Sequence, residues 1–283
     1  MIGYGRTCAP SSLSKYSFKT AADDLAALAR DLGCEQKGVV VGGHDWGGMI
    51  AHRFALHHPD LVKAVFTVCT PYTPPSKAFL PLEEVVKRVK NFGYQAQLAS
   101  GKVEEAIRTK QDLKAFLNAL YGGQKEDGKG GLSITSGVDF SILGELRSTP
   151  LMDEEMLDYY AEEYARHGIG PTLNWYRTRE INHQDEQYLL KKNPPKMTIE
   201  CPVLFVQARD DAALPPKMSE GMENWIPRLR RNEVEGSHWA LWEQPENVNG
   251  FIREWLEQEV ISLLKGAEDK TMKSEKLGKR SKI

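Results

Sequence analysis

Gly42-Gly43-His44-Asp45-Trp46-Gly47-Gly48 sets one acidic side chain at the centre of a glycine-rich stretch. Its pattern is small-x-nucleophile-x-small-small. A sharp strand-to-helix turn demands that pattern, because neighbouring backbones come so close that only glycine-sized residues fit around the central one. The turn presents the central side chain at the carboxyl end of a sheet, beside helix amides that favour negative charge. Asp, not Ser, stands there, and the chemistry changes with it. A carboxylate is ionised near neutral pH and can displace a leaving group from a saturated carbon, giving an alkyl-enzyme ester. Hydrolysis of that ester needs a base to activate water, and a histidine held by a second carboxylate is the natural choice. Gln207-Ala-Arg-Asp-Asp211 and Gly236-Ser-His238-Trp239 supply both partners, in the chain order nucleophile, acid, histidine. Of the adjacent acids, Asp211 is preferred over Asp210 from its place two residues before Ala213-Leu-Pro-Pro216. His57, His58, His167 and His183 fall in helical patterns with no suitable partner and read as surface or packing residues.

The elements that must position these groups alternate. Thr20-Ala-Ala-Asp23 has the form of a capping box, and Leu25, Leu28, Ala29 and Leu32 make one stripe, so a helix is expected over Thr20 to Leu32, ended by Gly33. Strands are expected at Gly38 to Val41, Lys63 to Cys69, Val203 to Ala208 and, more weakly, Arg231 to Glu235. Helices are expected at Met49 to His57 and from Pro245 to Leu264. Strand and helix in alternation imply an α/β fold with a mostly parallel sheet covered on both faces. Some 130 residues between the second and third strands show helical patterns, such as Val103 to Tyr121 and Asp153 to His167, and read as an inserted helical cap. Pro71, Pro74 and Pro75 on one side and Pro194 and Pro195 on the other mark its edges. The expected division is 1–71 core with the nucleophile turn, 72–196 cap, 197–264 core with the acid and histidine, and 265–283 a charged, disordered tail.

Composition narrows the classes. Of 283 residues, 41% are hydrophobic, and 37 Lys+Arg against 39 Asp+Glu leave a net charge of -2. That much apolar material can bury a core, while the balanced charge argues against a nucleic-acid partner. No segment has the roughly 18 to 20 apolar residues that a membrane span needs, and Met1 to Ser12 lacks the form of a secretory signal. Cys8, Cys34, Cys69 and Cys201 are widely spaced, which reads as reduced thiols with no metal site. No cofactor is expected.

The chain resembles the α/β-hydrolase superfamily, and within it the fungal and soluble epoxide hydrolases. The resemblance runs from about Gly3-Tyr-Gly-Arg6 to Leu264 and rests on Gly43-His-Asp-Trp-Gly-Gly48, Asn174-Trp-Tyr-Arg-Thr-Arg-Glu180, Asp211 with Ala213-Leu-Pro-Pro216, and Ser237-His-Trp-Ala240. It implies two cap tyrosines that grip the epoxide oxygen and donate a proton, and by motif these fall on Tyr94 and Tyr176. A phenol suits that task, since its pKa of about 10 keeps it protonated at rest. The resemblance also implies that the Trp46 backbone N–H stabilises the oxyanion. The expected reaction turns a small apolar epoxide and water into a vicinal diol. A haloalkane dehalogenase is the alternative enzyme, sharing the Asp nucleophile and a following Trp that can bind halide. A ligand-binding protein on a degenerate hydrolase fold is the alternative of another class.

One departure stands out. The resemblance implies about four further strands before this sequence begins, and an H-G-x-P segment that is not found here. With only the later half of the sheet, the strand at Val39 is expected to be an exposed edge, prone to aggregate or to pair two copies as a homodimer. A truncated product, a misplaced start and a drift to a non-catalytic role are the three readings. At the other end, Ser281-Lys282-Ile283 differs from the peroxisomal address S-K-L by one aliphatic residue, so an import receptor is an expected partner and the peroxisome the expected location, with the cytoplasm as the alternative. The whole pattern also resembles hydrolases from gene clusters of plant-pathogenic fungi that make host-selective, epoxide-bearing toxins.

Overall fold

A computed structural model of the chain describes residues 1–192, 195 and 197–262. Pro194 and the expected tail, with Ser281-Lys282-Ile283, lie outside the described residues. Among the described residues the strands are β1 (Val39–His44), β2 (Val62–Val68), β3 (Leu132–Ser133), β4 (Gly137–Val138), β5 (Val203–Ala208) and β6 (Leu229–Val234). Four of them form one parallel sheet in the order β1-β2-β5-β6. Every residue of β5 is buried, as a central strand between two covered faces requires. β1 is at the edge of the sheet, and its Val40 is 38% exposed.

Successive strand residues point to opposite faces, so the sheet builds two cores. On one face Val65 and Phe205 pack with Ala22, Ala26 and Ala29 of α1 (Phe18–Asp31) and with Ala51 and Phe54 of α2 (Trp46–His57). On the other, Ala64, Leu204 and Val206 pack with Val248 and Trp255 of α11 (Pro245–Trp255). A short α10 (Ala240–Glu243) precedes α11, and a π-helical turn over Leu256–Ile261 follows it.

The first helix starts earlier than its pattern suggests. Ser17, not Thr20, caps α1, its hydroxyl accepting the Thr20 N–H at 3.1 Å. Distant Asn182 takes the Phe18 N–H at 2.8 Å, so the first turn is satisfied by tertiary contact. Asp23 then has no cap to close and instead binds Lys19 and His58.

Between β2 and β5 the chain forms α3 (Leu82–Arg88), α4 (Gly93–Ala99), α5 (Lys102–Ala106), α6 (Lys110–Leu120), α7 (Glu154–Ala165), α8 (Gly170–Leu173) and α9 (Arg179–Leu190). The pattern over Val103 to Tyr121 is two helices, because Thr109 opens a new one with a capping box to Asp112. The cap is not wholly helical: β3 and β4 pair as a short antiparallel ladder. Nor does the insertion separate cleanly, since Leu189 of α9 is packed in the α1 and α2 core.

His52 of α2 is fully buried, and neither ring nitrogen has a hydrogen-bond partner among the described residues. Burial, with the neighbouring Arg53 charge, lowers its pKa to about 3, and burial lowers that of His57 to about 4. The unfolded chain titrates both near 6.5 and so binds more protons below that pH. Stability should therefore fall as pH falls below about 6.5, by about 1.4 kcal/mol per pH unit for each histidine. His52→Leu should flatten this slope by one proton in denaturant titrations between pH 6 and 4; an unchanged slope would refute the assignment.

Candidate active site

Asp45 caps α2 at the end of β1 with φ 53° and ψ -126°, a backbone state that side chains rarely adopt. The packing around it explains how the state persists. A Cβ on Gly43 would stand 2.2 Å from the Gly47 backbone, and one on Gly48 would meet the Thr70 side chain at 2.6 Å. Thr70 also donates its hydroxyl to the Asp45 carbonyl at 2.9 Å. Gly47 departs from the sequence expectation, because a Cβ there meets nothing within 4 Å.

Asp211 and His238 leave the carboxyl ends of β5 and β6 beside this turn. His238 Nδ1 is 2.8 Å from Asp211 Oδ2, and its Nε2 is 3.3 Å from Asp45 Oδ2. The other Asp211 oxygen accepts the Ala213 and Leu214 N–H groups at 2.9 and 2.8 Å. Asp211 is buried, whereas its neighbour Asp210 is exposed. Burial opposes charge on all three groups, but their mutual hydrogen bonds outweigh it. His238 is raised to about 10, and both carboxylates are held below their usual range, Asp45 with help from the Trp46 amide. The arrangement is a histidine imidazolium held between two anions.

A cavity of about 520 Å³ opens over Asp45, lined on the cap side by Tyr94 and Tyr176. The two rings meet edge to face with centroids 6.2 Å apart, and Tyr176 stands edge-on to Trp46 at 5.3 Å. Burial first, then nearby charge including Asp45, raises both phenol pKa values, so both keep their protons. Each tyrosine is seated by residues next to it in the chain. Tyr94 is the second residue of α4, whose first, the bare Gly93, lies against the Thr135 carbonyl of the β3–β4 turn, where a Cβ would be 1.9 Å away. Gln97 fixes that contact, exchanging hydrogen bonds with Val138 at 2.7 and 2.8 Å. The turn carrying Tyr176 is pinned by Trp175 on the Ile2 carbonyl, and by Arg177 on the Ala99 carbonyl and Glu104.

Other site neighbours carry little sequence signal. The His238 carbonyl accepts from His44 Nε2 at 2.7 Å and from the Cys69 thiol at 3.6 Å, two donors that fix the loop. His44, Cys69 and His238 bring ligand-type atoms within 4.8 Å of one another, while His44 Nε2, the Cys69 sulfur and both His238 nitrogens make the contacts just described. Arg53 of α2 and Glu186 of α9 line the cavity as a buried ion pair at 2.6 Å, and Arg53 also donates to the Thr73 carbonyl at 2.8 Å. The four histidines read from the sequence as surface or packing residues have neighbours of their own. His57 meets Tyr188, His58 meets Asp23, His167 meets the Thr7 carbonyl, and His183 lines the cavity.

The family described as the alpha/beta hydrolase fold matches residues 1–245. The chain belongs to that family. An epoxide hydrolase of Neurospora crassa is 43% identical to this α/β hydrolase over 265 residues, 91% of this chain and 77% of that protein. The bifunctional epoxide hydrolase 2 of Rattus norvegicus is 32% identical over 268 residues, 92% of this chain and 46% of its own length. Among solved structures, epoxide hydrolase A of Mycobacterium thermoresistibile superposes with a TM-score of 0.71 at 26% identity, covering 90% of this chain and 80% of that one. Epoxide hydrolase I of potato matches the fold with a TM-score of 0.72 at 23% identity, over 90% of this hydrolase and 82% of its own chain. By its relatives, this α/β hydrolase lies on the epoxide hydrolase branch.

The glycines of the turn differ in what they tolerate. Gly43→Ala and Gly48→Ala should each cost at least about 2 kcal/mol through overpacking. Gly47→Ala, on a helical residue in open space, should be neutral or stabilising by up to about 1 kcal/mol. Thermal melts of the three variants check this, and a Gly47→Ala loss matching the other two would contradict it.

Proposed function

We propose that this chain hydrolyses an epoxide to a vicinal diol through an ester on Asp45. The observation that carries the reading is the meeting, in one cavity, of a carboxylate backed by His238 and Asp211 with two protonated phenols. The epoxide hydrolase names of the relatives support it.

Asp45 attacks an oxirane carbon from the side away from the C–O bond, which breaks as the ester bond forms. The departing alkoxide is a poor leaving group, and Tyr94 and Tyr176 hydrogen-bond it and supply a proton. Esterification removes the charge on Asp45, one of the two anions that hold the proton on His238. The imidazolium pKa then falls towards the range of a useful base, with Asp211 still orienting the ring, and the proton His238 gives up restores, through water, the phenol that lost one in ring opening. Neutral His238 takes a proton from water, which attacks the ester carbonyl, and the Trp46 N–H stabilises the oxyanion. Collapse expels the diol alkoxide, which takes the remaining proton of the added water, and returns the Asp45 carboxylate beside the imidazolium restored on His238.

Asp45→Asn should abolish alkylation, and His238→Gln should accumulate an ester, seen as a peptide at Asp45 heavier by the mass of the epoxide. Tyr94→Phe and Tyr176→Phe should each slow ring opening by roughly 10- to 1000-fold. Steady epoxide turnover by Asp45→Ala protein would reject the scheme. A haloalkane dehalogenase is the second reading, favoured by one observation: the Trp46 indole N–H points towards the Tyr176 hydroxyl without closing a hydrogen bond of good geometry among the described residues, and could take a halide. A halide leaves without a proton, so two phenols have no task in that reaction. Halide release from haloalkanes, with no loss of rate on removing both phenols, would select it. A purely ligand-binding role is disfavoured by the complete set of nucleophile, acid, histidine and phenols.

We further propose that the enzyme acts in peroxisomes, in the metabolism of epoxide-bearing secondary metabolites such as fungal toxins; the support is the Ser281-Lys282-Ile283 terminus. A fluorescent protein extended by residues 265–283 should enter punctate organelles and become cytosolic when the last three residues are removed. Diffuse fluorescence from the intact fusion would reject this address.

A further inference from the structure

Where the cap meets the loop that carries Asp211, the polar contact narrows to one side chain. Asn91, in the single turn Lys90–Phe92 just before α4, donates its carboxamide N–H to the Ala213 carbonyl at 2.5 Å. Among the described residues no other hydrogen bond joins residues 72–196 to the loop 209–216. That loop is a fixed point of the core. Its Ala213 and Leu214 N–H groups are held by the Asp211 carboxylate, the Leu214 carbonyl accepts from Gln207 of β5 at 3.4 Å, and Gln207, Asp211 and Ala213 are all buried. Asn91 therefore grips the carbonyl of a residue whose N–H already belongs to the acid behind His238. Tyr94 stands three positions further on, about one helical turn away. Its other seats lie inside the cap: its N–H binds the Ile134 carbonyl at 3.0 Å, and Gly93 and Gln97 meet the β3–β4 ladder. Those contacts fix Tyr94 within the cap but not its place over Asp45. On the other side of the cap α9, which follows Tyr176, has an anchor of its own in the Arg53–Glu186 pair.

From this geometry we infer that Asn91 is a positioning residue for ring opening: it hangs the Tyr94 segment on the Asp211 loop and so sets that phenol over the nucleophile. The inference deepens the proposed epoxide reaction and rests on it for its kinetic part, but not for the anchor itself. The direction of the effect follows from which side is fixed. Without the Asn91 donor the Tyr94 segment loses its tie to the core, whereas Asp211 keeps its two N–H groups and goes on orienting His238. Attack on the epoxide then slows, and hydrolysis of the ester does not.

Kinetics and hydrogen exchange test it separately. Asn91→Asp keeps the size of the side chain and removes the donor, Asn91→Ala removes the donor without adding charge, and Asn91→Gln keeps a donor on a longer stem. Quenched-flow mass spectrometry of the Asp45 peptide reads ester formation and ester decay as two rates. Formation should slow about 5-fold in Asn91→Asp and Asn91→Ala, the scale of one hydrogen bond, with decay unchanged, and Asn91→Gln should recover part of the loss. On a Tyr94→Phe background the same changes should add nothing further, while on a Tyr176→Phe background they should cost their full 5-fold. Hydrogen exchange read by mass spectrometry needs no substrate. It should show residues 88–99 exchanging about 5-fold faster in Asn91→Asp and Asn91→Ala, with residues 209–216 unchanged. Equal slowing of formation and decay, full additivity with Tyr94→Phe, or exchange over residues 88–99 as slow as in the wild type would overturn the inference. If the wild type opens no epoxide, the epoxide reading fails, and the exchange comparison still decides whether Asn91 anchors the Tyr94 segment.

Discussion

Asp45 keeps a positive φ that a residue with a Cβ holds only where its surroundings over-determine it, and the core and cap alike are arranged around that turn. Gly43 and Gly48 let the backbones and Thr70 close in, and the Thr70 hydroxyl holds the Asp45 carbonyl. The end of β1 and the start of α2 therefore cannot move independently of β2, which leads into Thr70. With that turn closed, the carboxylate projects beyond the carboxyl ends of the strands, where the loops after β5 and β6 can reach it.

The second constraint is electrostatic. Three ionisable groups share a largely buried row, and burial alone would discharge each of them. They stay charged because Asp211 takes two backbone N–H groups and one side of the imidazole, while Asp45 faces the other side. Removing charge from one end of such a row changes the proton affinity in the middle. Alkylation of Asp45 does this, and the same row can thus stabilise a nucleophile in one step and release a base in the next.

The cavity is assembled from two sources with different tolerances. The sheet supplies the carboxylate and histidine on strand ends, whereas the cap supplies phenols whose positions depend on contacts far apart in the chain. Tyr94 depends on the β3–β4 ladder through Gly93 and Gln97, and Tyr176 on Arg177 and Glu104. Arg53 ties the parts together, since it joins α2 to Glu186 of α9 and to Thr73, where the chain leaves the core. A buried pair of this kind adds little net stability, but loss of one partner strands a charge, so it enforces one arrangement of cap on core.

The sequence by itself carried whatever depends on neighbours close along the chain. Alternating strand and helix patterns, the glycine spacing around Asp45 and the order of Asp45, Asp211 and His238 were legible because backbone sterics and side-chain period act over a few residues. Asp211 could be preferred over Asp210 from Ala213-Leu-Pro-Pro216, and the structure buries Asp211 and exposes Asp210. Only the tertiary structure decided the rest. It moved the cap of α1 to Ser17 because distant Asn182 takes the Phe18 N–H, and it left Gly47 sterically free where the turn pattern asks for a small residue. It paired Leu132–Ser133 with Gly137–Val138, a ladder too short for any periodic signal, and gave His57, His58 and His167 partners. Most of all, it turned Arg53, Arg179, His183 and Glu186 towards one cavity, and a charge faces a cavity or water according to what packs against its helix, which no local pattern records.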